Sequence, residues 1–240
     1  MPKARSFSLI CWLALIGTTT CTPLEKITLN ELTPLVSLNK GACFGRCPVY
    51  ELQVYTNGIA TFRGERFTDK MGLWIRQLSD GEFRSLKDQL NQTNLWQYDP
   101  SYPSRIPDAP MITITQYEDD AQKTVSGKMN RPDPVLNLQD MLEKIAESNP
   151  EQWSVREPYD YGLPSKAVLG DIYVQLKPNV YARNWIQQYV RQDLRIVESL
   201  NTRSNYFLMH YNPQVVFPRE LERFLSYDDD VVDYSFLPEK

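Results

Sequence analysis

Cys43-Phe44-Gly45-Arg46-Cys47-Pro48-Val49-Tyr50-Glu51-Leu52-Gln53-Val54-Tyr55-Thr56-Asn57-Gly58 carries a short loop into a β-hairpin, and its reading decides the class of the first domain. Gly41 and Gly45 permit a tight bend. Pro48 forbids helical continuation and directs the chain into a strand. Tyr50, Leu52 and Val54 then share one face and Glu51 and Gln53 the other, the period of a half-buried strand. Asn57-Gly58 is a two-residue hairpin signal, and the return strand runs from Ile59 to Arg63 with Ala60 and Phe62 alternating against Thr61. A third extended piece covers Leu73 to Leu78.

Downstream, Ser79-Asp80-Gly81-Glu82 is a capping box that starts a helix with Phe83, Leu86 and Leu90 on one face. A loop rich in Pro and Tyr follows over 98–110. Met111 to Tyr117 alternates as a strand, Asp119-Asp120 turns the chain, and Lys123 to Met129 returns it. Asp133-Pro134 opens a second helix, proline being suited to the first helical position. Val135, Leu138, Leu142 and Ile145 give it a buried stripe. Strands, helix, strands, helix over residues 32–148 read as an α+β domain.

Upstream of this domain, Lys3 and Arg5 precede an apolar run from Phe7 to Gly17, then three threonines and Cys21. The run is too short to cross a bilayer, which takes about 20 residues, so residues 1–20 read as a cleaved export signal. The approach to Cys21 resembles lipoprotein signals of the Bacteroidetes type. That resemblance implies lipidation of Cys21 and a place in the cell envelope, anchored to a membrane on the periplasmic or outer-membrane side. Ordinary secretion is the other reading. No later segment holds 18 continuous apolar residues.

Downstream of the α+β domain, 149–166 holds Pro150, Pro158, Pro164 and Gly162 among aromatics and reads as a linker that packs against something. Beyond it, Asp171 to Leu176 is a strand. Val180 to Arg191 is a helix with Ala182, Trp185, Ile186 and Tyr189 inward. Leu194 to Leu200 and Tyr206 to Tyr211 are strands, Pro218 opens a helix with Leu221, Phe224 and Leu225, and Val231 to Leu237 closes as a strand. The order βαββαβ over 167–240 is ferredoxin-like.

Two resemblances attach to these domains. The run Cys-Phe-Gly-Arg-Cys-Pro-Val-Tyr at 43–50, with Asn57-Gly58 and a Phe62/Gly64 exit, resembles a family of uncharacterised bacterial envelope domains with a Cys-Phe-Gly-x-Cys-Pro-x-Tyr signature. It implies domain limits near 35–148 and an exported setting, and no activity. Residues 167–240 resemble, at the level of element order, the propeptide and inhibitor modules of subtilisin-type proteases.

The full chain of 240 residues carries a net charge of −4, which disfavours nucleic acid as a partner. With Cys11 inside the apolar run and Cys21 set aside for lipidation, Cys43 and Cys47 remain as a pair four positions apart. In an exported protein such a pair reads as a disulfide. The sharper alternative is thiol redox or copper chemistry. Cys-x-x-x-Cys-Pro is similar to the copper motif of Sco-type assembly proteins, and two thiolates with His210 would form the ligand set. His210, the single histidine, otherwise reads as a half-buried residue beside aromatics. Asp228, Asp229, Asp230 and Asp233 lack the spacing of a calcium loop and read as a solvated turn. Trp96, Tyr98 and Tyr102 form either a binding surface or a lid on the first core. With no phosphate loop and no nucleophile elbow, the expectation is a non-enzymatic envelope lipoprotein without cofactor that binds another envelope protein. Its alternatives are the redox or copper protein and a free-standing inhibitor of a subtilisin-type protease.

Overall fold

A computed structural model of the chain describes Leu24 and residues 27–104 and 108–238; residues 1–20, expected as an export signal, and Cys21, expected to be lipidated, lie outside the described residues, as does Cys11. The fold is α+β. Two sheets carry it, one of eight strands and one of four.

The first sheet is built around a strand that the pattern reading does not include, β1 (Pro34–Lys40). On one side β1 pairs antiparallel with β2 (Val49–Tyr55), which continues through the expected hairpin to β3 (Ile59–Arg66) and on to β4 (Gly72–Gln77). Its other side pairs with β6 (Ile112–Glu118), followed by β7 (Ala121–Gly127) and the two-residue β5 (Ser101–Tyr102). Thus β1 joins the two hairpins into one sheet. Val36 and Leu38 from β1 are wholly buried, as are Leu52 and Val54 from β2.

Helix α1 (Asp80–Thr93) and helix α2 (Asp133–Ala146) pack together over one face of this sheet. The expected capping box is present. Glu82 N donates to Ser79 Oγ, and Glu82 Oε2 accepts from the Ser79 amide at 2.9 Å. The expected stripe of Val135, Leu138, Leu142 and Ile145 is buried against Tyr50, Leu52 and Phe62. Gly64, in β3, has no room for a Cβ because the Lys70 carbonyl lies against it.

The segment expected as a linker belongs in part to this sheet. After α2, a 3-10 turn (Pro150–Gln152) leads into β8 (Ser154–Pro158), which pairs antiparallel with β4. The cause lies beneath it. Lys70 and Arg76 are almost fully buried, and Trp153 covers both. The Arg76 guanidinium lies 5.0 Å and the Lys70 Nζ 5.9 Å from its ring centroid, and the ring of Phe62 meets Trp153 at 5.9 Å. Such cation–π contacts gain when desolvated. Lys70 Nζ donates to the Ser148 carbonyl, and Arg76 donates to Gln152 and Glu82. Burial holds the Lys70 pKa below its ordinary value. On the outer side of β8, Arg156 Nη2 donates to the carbonyl of Ile27 at 3.0 Å.

The second sheet has β9 (Asp171–Leu176), β10 (Arg195–Asn201), β11 (Tyr206–His210) and β12 (Val231–Ser235) in the order β10-β11-β9-β12, every neighbour antiparallel. With α3 (Ala182–Trp185) and α4 (Pro218–Ser226) the element order is βαββαβ. The helix expected over 180–191 is mostly not α-helical. α3 is one turn, and Ile186–Gln192 is 3-10 with a kink at Tyr189. Asp228 is the reason. Its Oδ2 accepts from Trp185 Nε1 at 2.9 Å, Gln188 Nε2 at 2.8 Å and Tyr189 Oη at 2.7 Å. Burial, then the bond to Asp228, raises the Tyr189 pKa. Asp228 is therefore an anchor and not a solvated turn residue. In α4, Leu221 and Leu225 are buried as expected, but Phe224 faces outward at 48% exposure.

Trp153→Ala should lower stability by about 3–5 kcal/mol, the usual cost of truncating a buried aromatic, read by urea unfolding. A loss under about 1 kcal/mol would show that β8 does not depend on it. Glu82 provides a pH test. Burial raises its pKa, but the Ser79 hydrogen bonds and the Arg76 charge outweigh this and hold it below 4.5. A depressed carboxylate stabilises the fold above its unfolded pKa, and that contribution is lost as pH falls through the folded value. Glu82→Gln should therefore melt lower than the parent at pH 7, with the gap closing below pH 4.5.

Candidate functional site

Cys43 and Cys47 form a disulfide with Cα atoms 5.8 Å apart. The loop they close leaves β1 where the Gly41 amide donates to the Met111 carbonyl at 2.8 Å and enters β2 at Val49. Its tip presents Phe44 at 90% exposure, the most exposed large apolar side chain among the described residues. Arg46 in the same loop crosses to the second unit, its Nη2 donating to the Arg191 carbonyl at 2.9 Å. At the base of the loop, Tyr50 Oη donates to Glu147 at 2.9 Å, and Lys40 pairs with Glu147 at 2.9 Å and Glu143 at 3.2 Å. Burial, followed by the two glutamates, raises the Tyr50 pKa and keeps its phenol protonated.

A second contact between the units sits beside the loop. Arg66 Nη2 pairs with Glu220 Oε2 at 2.9 Å, and the same oxygen accepts the Phe217 amide at the start of α4. The guanidinium lies over Phe67 at 4.9 Å and over Phe217 at 5.2 Å. Phe217 in turn packs on Tyr159, and Tyr159 on Tyr161. Two open cavities meet at Arg66. One of about 610 Å³ reaches Ala42 and Val49 at the disulfide loop. The other, of about 470 Å³, lies toward α4 and the 3-10 segment. The junction residues are 154 positions apart in the Arg66–Glu220 pair, so no local pattern could have revealed them. The signal available in the sequence is the run of aromatics among the prolines of 149–166, which includes Tyr159 and Tyr161.

The other residues singled out from sequence do not join this junction. His210 Nδ1 sits 3.0 Å from Asp171 Oδ1 in the second sheet. Among the described residues no group of three or more His, Cys, Asp and Glu side chains could hold a metal ion, so Cys43, Cys47 and His210 are not brought together as a ligand set. The aromatic trio is divided. Tyr98 and Tyr102 pack against the first core as a lid, Tyr102 Oη accepting the Asp99 amide, and Trp96 alone is exposed. Tyr211, next to His210, is buried, which pushes its pKa up to about 12, and its hydroxyl has no partner among the described residues.

The family model of a domain of unknown function, DUF6438, matches residues 34–146, from β1 to the end of α2. No curated protein matches the chain.

Replacing both Cys43 and Cys47 by serine should cost about 2 kcal/mol, the chain-entropy value for so small a ring, measured by thermal or urea unfolding. The same variant should leave any metal content unchanged. Stoichiometric Cu(I) binding by the reduced parent, lost in the variant, would instead make the cysteines ligands.

Proposed function

We propose that this chain is an exported, lipid-anchored, non-catalytic module of the cell envelope that binds a partner protein through its disulfide-closed loop. The observation that carries the reading is Phe44, held outward at 90% exposure on a loop fixed by the Cys43–Cys47 disulfide. A large aromatic ring in water is unfavourable unless something covers it, and aromatic side chains are typical anchors of protein interfaces. Closing the loop by a disulfide limits the conformational freedom that binding would otherwise remove. Disulfides persist in oxidising compartments, which agrees with an export signal over residues 1–20 and lipidation at Cys21.

Placing a photo-crosslinking amino acid at position 44 in cells should give a discrete adduct, absent when the crosslinker sits at Asp88 on the outer side of α1. No adduct at position 44, or turnover of substrate by the purified protein, would overturn the reading. Cys21→Ser should move the protein from the membrane fraction to the soluble fraction. Retention in the membrane fraction would exclude the lipid anchor.

A further inference from the structure

The lining of the cavity of about 470 Å³ beside α4 includes three arginines and one glutamate: Arg66 from β3, Arg191 from the 3-10 segment, Arg223 from α4, and Glu220. Arg66 and Glu220 neutralise each other at 2.9 Å. Arg191 is held through its backbone carbonyl by Arg46, and neither its guanidinium nor that of Arg223 has an ion-pair partner among the described residues. Gln192 adds a side-chain oxygen that is buried in the lining without a hydrogen-bond partner. The remaining lining is apolar or aromatic, from Val215, Val216, Phe224 and Tyr227. This is the physical setting in which the outward turn of Phe224 makes sense, because its ring completes a cavity wall.

We propose that this cavity binds a phosphomonoester carried on an apolar body. Two uncompensated monocations in one partly enclosed space match a dianion. A phosphomonoester at neutral pH carries close to two negative charges and three strong acceptor oxygens. Guanidinium forks grip such oxygens in pairs, with geometry that an ammonium cannot reproduce. Val215, Val216 and Phe224 would cover the apolar body, whose burial adds favourable free energy in proportion to its area. The volume falls in the range of small-molecule sites. The phosphate belongs to either a lipid headgroup or a soluble ester; the chemistry of recognition is the same. Phe44 itself is not part of this site, although Arg46 of the same loop braces Arg191.

Calorimetric titration of the full-length protein with phenyl phosphate tests the assignment. Phenyl sulfate is the singly charged control of similar shape, and inorganic phosphate is the control without an apolar body. Phenyl phosphate should bind at least tenfold tighter than either. Arg191→Gln and Arg223→Gln should each weaken it about tenfold, the loss of a charge-assisted hydrogen bond, while Lys87→Gln on α1 leaves it unchanged. Both arginines are exposed, so these variants should keep the parent circular dichroism spectrum and melting temperature. Equal affinity for phenyl sulfate, or unchanged binding in both arginine variants, would overturn the proposal. Competition by dihexanoyl phosphatidic acid distinguishes the sources. Displacement of phenyl phosphate at matched concentration supports a lipid headgroup, and phenyl phosphate binding without displacement supports a soluble ester.

Discussion

The burial of Lys70 and Arg76 is the constraint on which the first unit depends. Both side chains are nearly inaccessible to water, and a buried cation is costly unless it is paired and hydrogen-bonded. The chain meets part of that requirement before α2, where Glu82 pairs with Arg76 and Asp69 with Lys70, and completes it after α2. Ser148, Gln152 and Trp153 bring a carbonyl, an amide oxygen and an indole face onto the two cations. Trp153 Nε1 donates to Ser148 Oγ, which donates to the Ile145 carbonyl, so the same residues also finish the C-terminus of α2. The first sheet and its core therefore continue past residue 146, where the match to DUF6438 ends. β8 follows because a chain pinned at Trp153 runs directly along the open edge of β4, whose unpaired backbone groups it satisfies.

That geometry explains what the sequence could and could not reveal. Signals that act within a few residues were legible. Asn57-Gly58, the Ser79/Glu82 capping box and Asp133-Pro134 each appear where they were read, because turns and caps are decided by neighbouring backbone groups. β1 escaped notice because its seven residues carry no turn signal of their own and gain their meaning only from two partners, one nearby in the chain and one far downstream, where Val36 pairs with Gln116 and Lys40 with Ile112. The segment after residue 149 looked like a linker because a strand added to a sheet edge needs no alternation of its own. The helix expected over 180–191 was overridden by Asp228, whose three donors demand a tighter winding.

The candidate site divides along the same line. The disulfide pair was legible because two cysteines four positions apart, in a chain read as exported, have few alternatives. The junction was not. Arg66 and Glu220 are an unremarked strand residue and an unremarked helix residue until the two units meet, and then the pair sits under Phe217 with a cavity on either side. Phe224 shows the same effect in one residue. Its helical spacing placed it with Leu221 and Leu225, yet it lies outward at a cavity wall.

The bond from Arg156 to the Ile27 carbonyl has a geometric corollary. It fixes the chain to the outer strand of the eight-stranded sheet only six positions after Cys21. Six residues reach at most about 20 Å when fully extended. With the lipid anchor proposed at Cys21, the leash is shorter than a small domain is wide. The protein would sit against the bilayer with its β8 edge toward the surface, swivelling over a limited arc. Any partner would then be met by lateral diffusion in a thin layer beside the membrane, where a modest intrinsic affinity is amplified by the high local concentration of tethered molecules.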